Sequence, residues 1–326
     1  MIEDSCLVED AEVRLRFSGD SAMLCAAVFD AIEKVGSVEE IASQTGYSIA
    51  SVNSLLDMLS SEDFVLNASF GEMTDARSAI ERVRSAGRFW NKHVMCQRFP
   101  LSLFGAHAIR DQVLGWGIEF YIFVRAAREY MARGASRIDG PTASLGGLWS
   151  HFAEEAFHDE IFRRGLIRCG LSEGNINNRV PLPSTMGLLN HLWEAAEGGE
   201  LQYASVFALM QPLSEPATSE SIVDKYRFLK KSYPFASPLF EAFQTHDGID
   251  VDLGHSHLSI EPLMRDRGML SAHEMQSIFK SIRRTSDCFD MFFSGIQSYY
   301  GNELSVSYRQ VPTVGGAILA SGERVH

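Results

Sequence analysis

Gly115-Trp116-Gly117-Ile118-Glu119-Phe120-Tyr121-Ile122-Phe123-Val124 sets one carboxylate in the middle of an apolar run. An unpaired charge in such surroundings costs on the order of several kcal/mol. A metal, a basic partner or protonation must therefore account for Glu119. The nearest bases, Arg125 and Arg128, point elsewhere by helical phase. The run lies in a helix expected over 106–133. Beyond it, helical spacing continues over 145–170, 185–211, 219–231, 236–257 and 271–300. Pro181, Pro183, Pro212, Pro216, Pro234 and Pro238 fall between these segments, where an imino acid without an amide proton does least harm. Six or seven helices of this length make an all-α bundle.

Two further segments carry residues with chemistry. In His151-Phe-Ala-Glu154-Glu155-Ala-Phe-His158-Asp159-Glu160, a continuous helix would put Glu155 and His158 about 60° apart on one face, close enough to share a metal. Phe152, Phe157, Ile161 and Phe162 place that face beside an apolar core, and Glu154 is the rival to Glu155. The second segment runs Thr245-His246-Asp247-Gly248-Ile249-Asp250-Val251-Asp252-Leu253-Gly254-His255-Ser256-His257. His246 and Asp250 lie about 40° apart on a helix. His255 joins them only if the helix is distorted, which Gly248 and Gly254 permit, and His257 returns to the first face one turn later. A polar surface loop or a calcium-type turn is the alternative, but imidazole is a poor ligand for hard cations and suits iron or zinc. Bundle di-iron sites combine inward carboxylates from separate helices with Glu-x-x-His pairs.

Glu119, then Glu155-x-x-His158 followed by Ile161-Phe162 and Cys169-Gly170-Leu171, then the His/Asp-rich helix, resembles the haem-oxygenase-like di-iron oxidases over about 106–300. The resemblance implies a haem-oxygenase-like helical bundle and a ligand set of Glu119, Glu155, His158, Glu215, His246, Asp250 and His255, with Glu119, Glu155, His158, His246 and Asp250 as its catalytic core. Two positions depart from the pattern. Glu215 sits beside Pro216 rather than in mid-helix, with Gln211 as its rival; Leu253 stands where the last histidine is expected, so His255 substitutes. Asp252 and His257 are the rivals to Asp250 and His255. The resemblance further implies two iron ions, O2 as co-substrate, an external electron donor, and a small substrate such as an amino acid, a fatty acid or an amine in specialised metabolism. Trp116, Phe120, Phe123, Phe152 and Phe207 would form an apolar pocket suited to an aliphatic group. That favours hydrogen abstraction on an aliphatic amino acid, with desaturation, cyclisation or fragmentation as outcomes, over N-oxygenation of an amine.

Toward the N-terminus the character changes. Three short helices, about Ala22–Val35, a second opened by the Ser37-Val38-Glu39-Glu40 capping box, and about Ser48–Ser60, precede Phe64-Val65-Leu66 and Met73-Thr74, which would form a β-hairpin wing. The pattern is similar to the winged-helix dimerisation domains of small-molecule methyltransferases. The expected layout is a winged helix over 1–76, a connecting helix over 77–105, the helical domain over 106–305 and a tail over 306–326. The third helix contains no Lys or Arg, and the chain has a net charge of −13, so no nucleic acid is expected; homodimerisation through this domain is. The basic run Arg77, Arg82, Arg84, Arg88 and Lys92 reads as a solvated helix face.

The rest of the composition narrows the alternatives. Five scattered cysteines without a CxxC pair argue against iron–sulfur or structural zinc sites. Cys169 lies too far along its helix from His158 to serve as a nucleophile. No signal-peptide pattern, apolar span or phosphate-binding glycine motif appears, so a cytoplasmic protein away from membranes is expected. A metal-free ligand-binding or regulatory protein using the winged helix is the remaining alternative.

Overall fold

A computed structural model describes residues 5–9, 14–32, 34–35, 37–61, 66, 71–137, 142–210, 219–252 and 259–301; for 5–9, 14, 61, 142–147, 219 and 250–252 it describes the backbone alone. The chain divides into two compact units, Met1–Gly71 and Glu72–His326.

In the first unit, β1 (Ser5–Glu9) pairs antiparallel with β2 (Arg14–Ser18), Ser5 opposite Ser18. Helices α1 (Asp20–Ile32), α2 (Val38–Thr45) and α3 (Ile49–Ser61) follow. Ser37 and Glu40 close the expected capping box, satisfying amides the first turn of α2 leaves open. Cys25, Val28, Ile41, Val52, Leu55 and Leu59 form the core. The N-terminal hairpin had no counterpart in the sequence reading. Phe64 and Val65 of the expected wing lie outside the described residues. Met73–Asp75 forms β3, which pairs with β4 (Met269–Ser271) in the second unit.

The second unit is helical, with β3 and β4 as its small two-stranded sheet. Its helices are α4 (Ala76–Met95), α5 (Arg98–Phe104), α6 (Arg110–Ser136), α7 (Thr142–Glu155), α8 (Asp159–Arg168) and α9 (Glu173–Asn177). They continue with α10 (Pro183–Glu197), α11 (Glu200–Val206), α12 (Ser219–Ser232), α13 (Ser237–Asp252), α14 (Glu261–Arg267) and α15 (Ala272–Tyr299). The expected all-α bundle is observed. Starts follow local chemistry: Asp75 caps α4 by accepting from the Ser78 amide, Pro183 opens α10, and Ser271 with Glu274 forms a capping box on α15. The expected connector, α4, instead packs along α15 as part of the bundle. Its Arg84 is drawn to the fully buried Glu261, which also receives Arg265 at 2.8 Å.

The long α6 packs against α7, α8 and α10, and α13 lies on α8. Glycine allows the closest approach: a Cβ at Gly115 would lie 2.3 Å from the Tyr300 ring, and one at Gly117 2.5 Å from Leu239. Alanine is the better helix former by about 1 kcal/mol, yet Gly115→Ala must displace a wholly buried ring. We expect a net loss of about 1–3 kcal/mol by denaturant titration; an unchanged or raised midpoint would contradict the packing described.

Candidate metal centre

The Glu155/His158 pair is made by a break, where the sequence led us to expect a continuous helix over 145–170. α7 ends at Glu155, α8 begins at Asp159, and the His158 amide donates to the Glu155 carbonyl at 3.2 Å across the turn. This geometry turns the His158 ring back, with Nδ1 2.9 Å from Glu155 Oε2. From α13, His246 brings Nε2 to 3.7 Å from the same oxygen. The two imidazoles meet edge to face, with centroids 4.8 Å apart, and Phe162 packs against His246 at 5.2 Å.

Ligand atoms of Glu155, His158 and His246 all lie within 4.8 Å of one another. Metal–ligand bonds of about 2.0–2.2 Å set neighbouring donors roughly 3–4 Å apart, so the group stands close to coordination spacing. Two imidazoles and one carboxylate are the donor set of non-haem Fe(II) centres with open positions. The residues therefore fit an iron ion. Burial pushes the Glu155 carboxyl up, but hydrogen bonds and charge from His158 and His246 outweigh it and hold the group at about 2. The carboxylate is thus ionised at neutral pH, as a cation ligand must be.

The structure does not bring Glu119 to this group. Its fully buried carboxylate accepts from Thr185 Oγ1 at 2.5 Å, the Leu182 amide at 3.0 Å and the Tyr300 hydroxyl at 2.8 Å. The need for a partner was read correctly, and these three donors are neutral. Arg125 and Arg128 do turn away, Arg125 over the Tyr121 ring and Arg128 to Asp159 at 3.5 Å. Of the rival pair, Glu155 joins the histidines and Glu154 receives the Ser150 hydroxyl at 2.9 Å. Asp250 and Asp252 lie on the backbone of α13, one of them a turn beyond His246, but their side chains are outside the described residues. Gln211, Glu215, Leu253, His255 and His257 are outside them altogether.

Glu155 and His246 form part of the wall of a cavity of about 270 Å³. Phe120, Phe123 and Phe207 line it as expected, joined by Phe289 and Phe293. Trp116 and Phe152 do not: Trp116 stacks flat on Phe243 at 4.2 Å, and Phe152 packs on Trp149. Three polar lining residues, Asn91, Tyr130 and His151, escaped the sequence reading. His151 Nε2 is 3.9 Å from Glu155 Oε1, and its spacing one turn before Glu155 and two before His158 could have signalled it. Tyr130 lies on the stripe Phe123, Ala127, Tyr130 of α6, each at helical spacing from the last. Cys169 is buried, and burial raises its thiol pKa, which disfavours a nucleophilic thiolate. No described helix is long and apolar enough to cross a membrane.

Compared with protein families and with curated proteins, the sequence finds no match. Among solved structures, the chain is similar to a domain of unknown function with a heme oxygenase-like fold from Shewanella denitrificans. Identity is 14%, the TM-score 0.48, and the match covers 70% of this chain and 96% of that one. It is also similar to a TenA homologue from P. horikoshii, at 11% identity and TM-score 0.46, over 68% of this chain and 100% of that one. A TenA homolog from Pseudomonas syringae pv. tomato gives 11% identity and TM-score 0.43, over 68% and 95% of the two chains. The likeness is one of helical architecture.

Proposed function

We propose that this protein is a non-haem iron oxidoreductase that uses O2 on a small, largely aliphatic molecule. The observation that carries the reading is the Glu155, His158 and His246 group, of which Glu155 and His246 stand in the wall of an apolar cavity. Bound there, iron supplies electrons and open coordination positions through which O2 can be activated to remove hydrogen from carbon. The chain's own residues do the remainder. Glu155 contributes the anionic ligand, and its buried setting strengthens its hold on a cation. Phe162 fixes the His246 ring, so the ligand arrives pre-oriented. Phe120, Phe123 and Phe207 keep water from the reacting carbon and offer a surface only hydrocarbon would favour.

In the same proposal, Glu215, Asp250 and His255 would supply ligands to a second iron. An external donor returns the electrons, and the first unit pairs two chains. The preference for carbon–hydrogen chemistry over N-oxygenation rests on the apolar lining.

Protein loaded anaerobically with ferrous ion should hold about two iron per chain and consume O2 on exposure to air-saturated buffer. One iron per chain would confine the chemistry to the triad, removing the second site. Protein that binds no ferrous ion would end the reading.

A further inference from the structure

Tyr130 is 2% exposed, yet its side chain lines the cavity beside His151, Glu155 and His246. The other buried tyrosines that donate hydrogen bonds have clear acceptors: Tyr203 the Met131 carbonyl, Tyr226 Asp247, Tyr233 the Leu103 carbonyl and Tyr300 Glu119. The Tyr130 hydroxyl has no hydrogen-bond partner among the described residues. The hydroxyl is not among the fully enclosed unpaired polar atoms of the described residues, so an acceptor on a ligand in the cavity could reach it. Burial, with Tyr203 and Glu155 adding to it, drives the phenol pKa well above its ordinary value, so the group keeps its proton and acts as a donor.

The rest of the lining states what kind of molecule could accept that bond. Phe123, Met131, Phe289 and Phe293 present hydrocarbon, and no Lys or Arg lines the cavity among the described residues. The histidines of the wall, His151 and His246, already face the Glu155 carboxylate, so a second carboxylate would gain little there, while a neutral oxygen needs no cation.

We propose that the cavity binds a small hydrocarbon molecule bearing one neutral oxygen acceptor, an amide or ketone, with the Tyr130 hydroxyl donating to that oxygen. The hydrocarbon portion lies along Phe123, Met131, Phe289 and Phe293. This names a ligand class for the same cavity and rests on the iron reading only for the chemistry that follows binding. Its test therefore uses metal-free full-length protein, where failure cannot be confused with failure to bind iron.

The probes are hexanamide, hexanoate and cyclohexane, titrated calorimetrically into wild type and Tyr130→Phe. Hexanamide should bind wild type more tightly than hexanoate and lose about three- to tenfold in affinity in Tyr130→Phe. Cyclohexane, with no acceptor, should bind both proteins alike. Phe289→Trp, which fills the apolar end, should weaken hexanamide and cyclohexane together. Equal hexanamide affinity in wild type and Tyr130→Phe would overturn the proposal. So would tighter binding of hexanoate, or absence of hexanamide binding to wild type.

Discussion

Glu119→Ala is expected to destabilise the helical unit by about 3–5 kcal/mol while leaving the metal ligands in place. The carboxylate joins α6 to the start of α10 and the end of α15 through Leu182, Thr185 and Tyr300. Truncation removes the acceptor of three buried donors at once and leaves a void that the helices cannot fill. Each orphaned donor costs about 1–3 kcal/mol, and the effects overlap because the donors share one site. Glu119→Gln keeps the shape and one acceptor, so its loss should be smaller, about 1–2 kcal/mol. Urea titration measures both. Iron content of the Gln variant should equal that of wild type; a folded Glu119→Gln protein that has lost iron would restore Glu119 as a ligand.

The second large effect concerns the triad. His158→Ala, His246→Ala and Glu155→Gln should each lower ferrous affinity by at least about a hundredfold, since even supporting residues around metal ligands cost 10- to 100-fold. The same loss is visible without activity. A ligand at a hundred times its Kd stabilises the folded state by about 2.7 kcal/mol, or about 5–10 °C in Tm for a domain of this size. Wild type should show that rise on adding ferrous ion anaerobically, and the three variants at the same concentration should show little of it. Equal shifts in wild type and variants would place the metal elsewhere.

What could be read ahead of the structure was what depends on local spacing. The capping boxes and apolar stripes yielded α1 to α3, and the segments over 106–133, 219–231, 236–257 and 271–300 correspond to α6, α12, α13 and α15, the part of the third beyond 252 lying outside the described residues. Glu155, His158 and His246 were likewise found from short-range pattern and meet in space. The failures share a cause, which is dependence on distant residues. Nothing near Glu119 announces that Leu182, Thr185 and Tyr300 will supply neutral donors, and a charge in an apolar run looks the same with either partner. Met73–Asp75 pairs with Met269–Ser271 from the far end of the chain, a partner that no local pattern announces. The break between α7 and α8 contains neither proline nor glycine; Ala156, Phe157 and His158 give no local instruction to stop a helix.

Substitution with Cu(II) followed by electron spin-echo spectroscopy tests the central claim most directly, because the modulation counts coordinated imidazoles. Wild type should show two, and His158→Ala and His246→Ala one each. Identical spectra from all three proteins, or a wild-type signal without imidazole, would contradict a metal held by Glu155, His158 and His246.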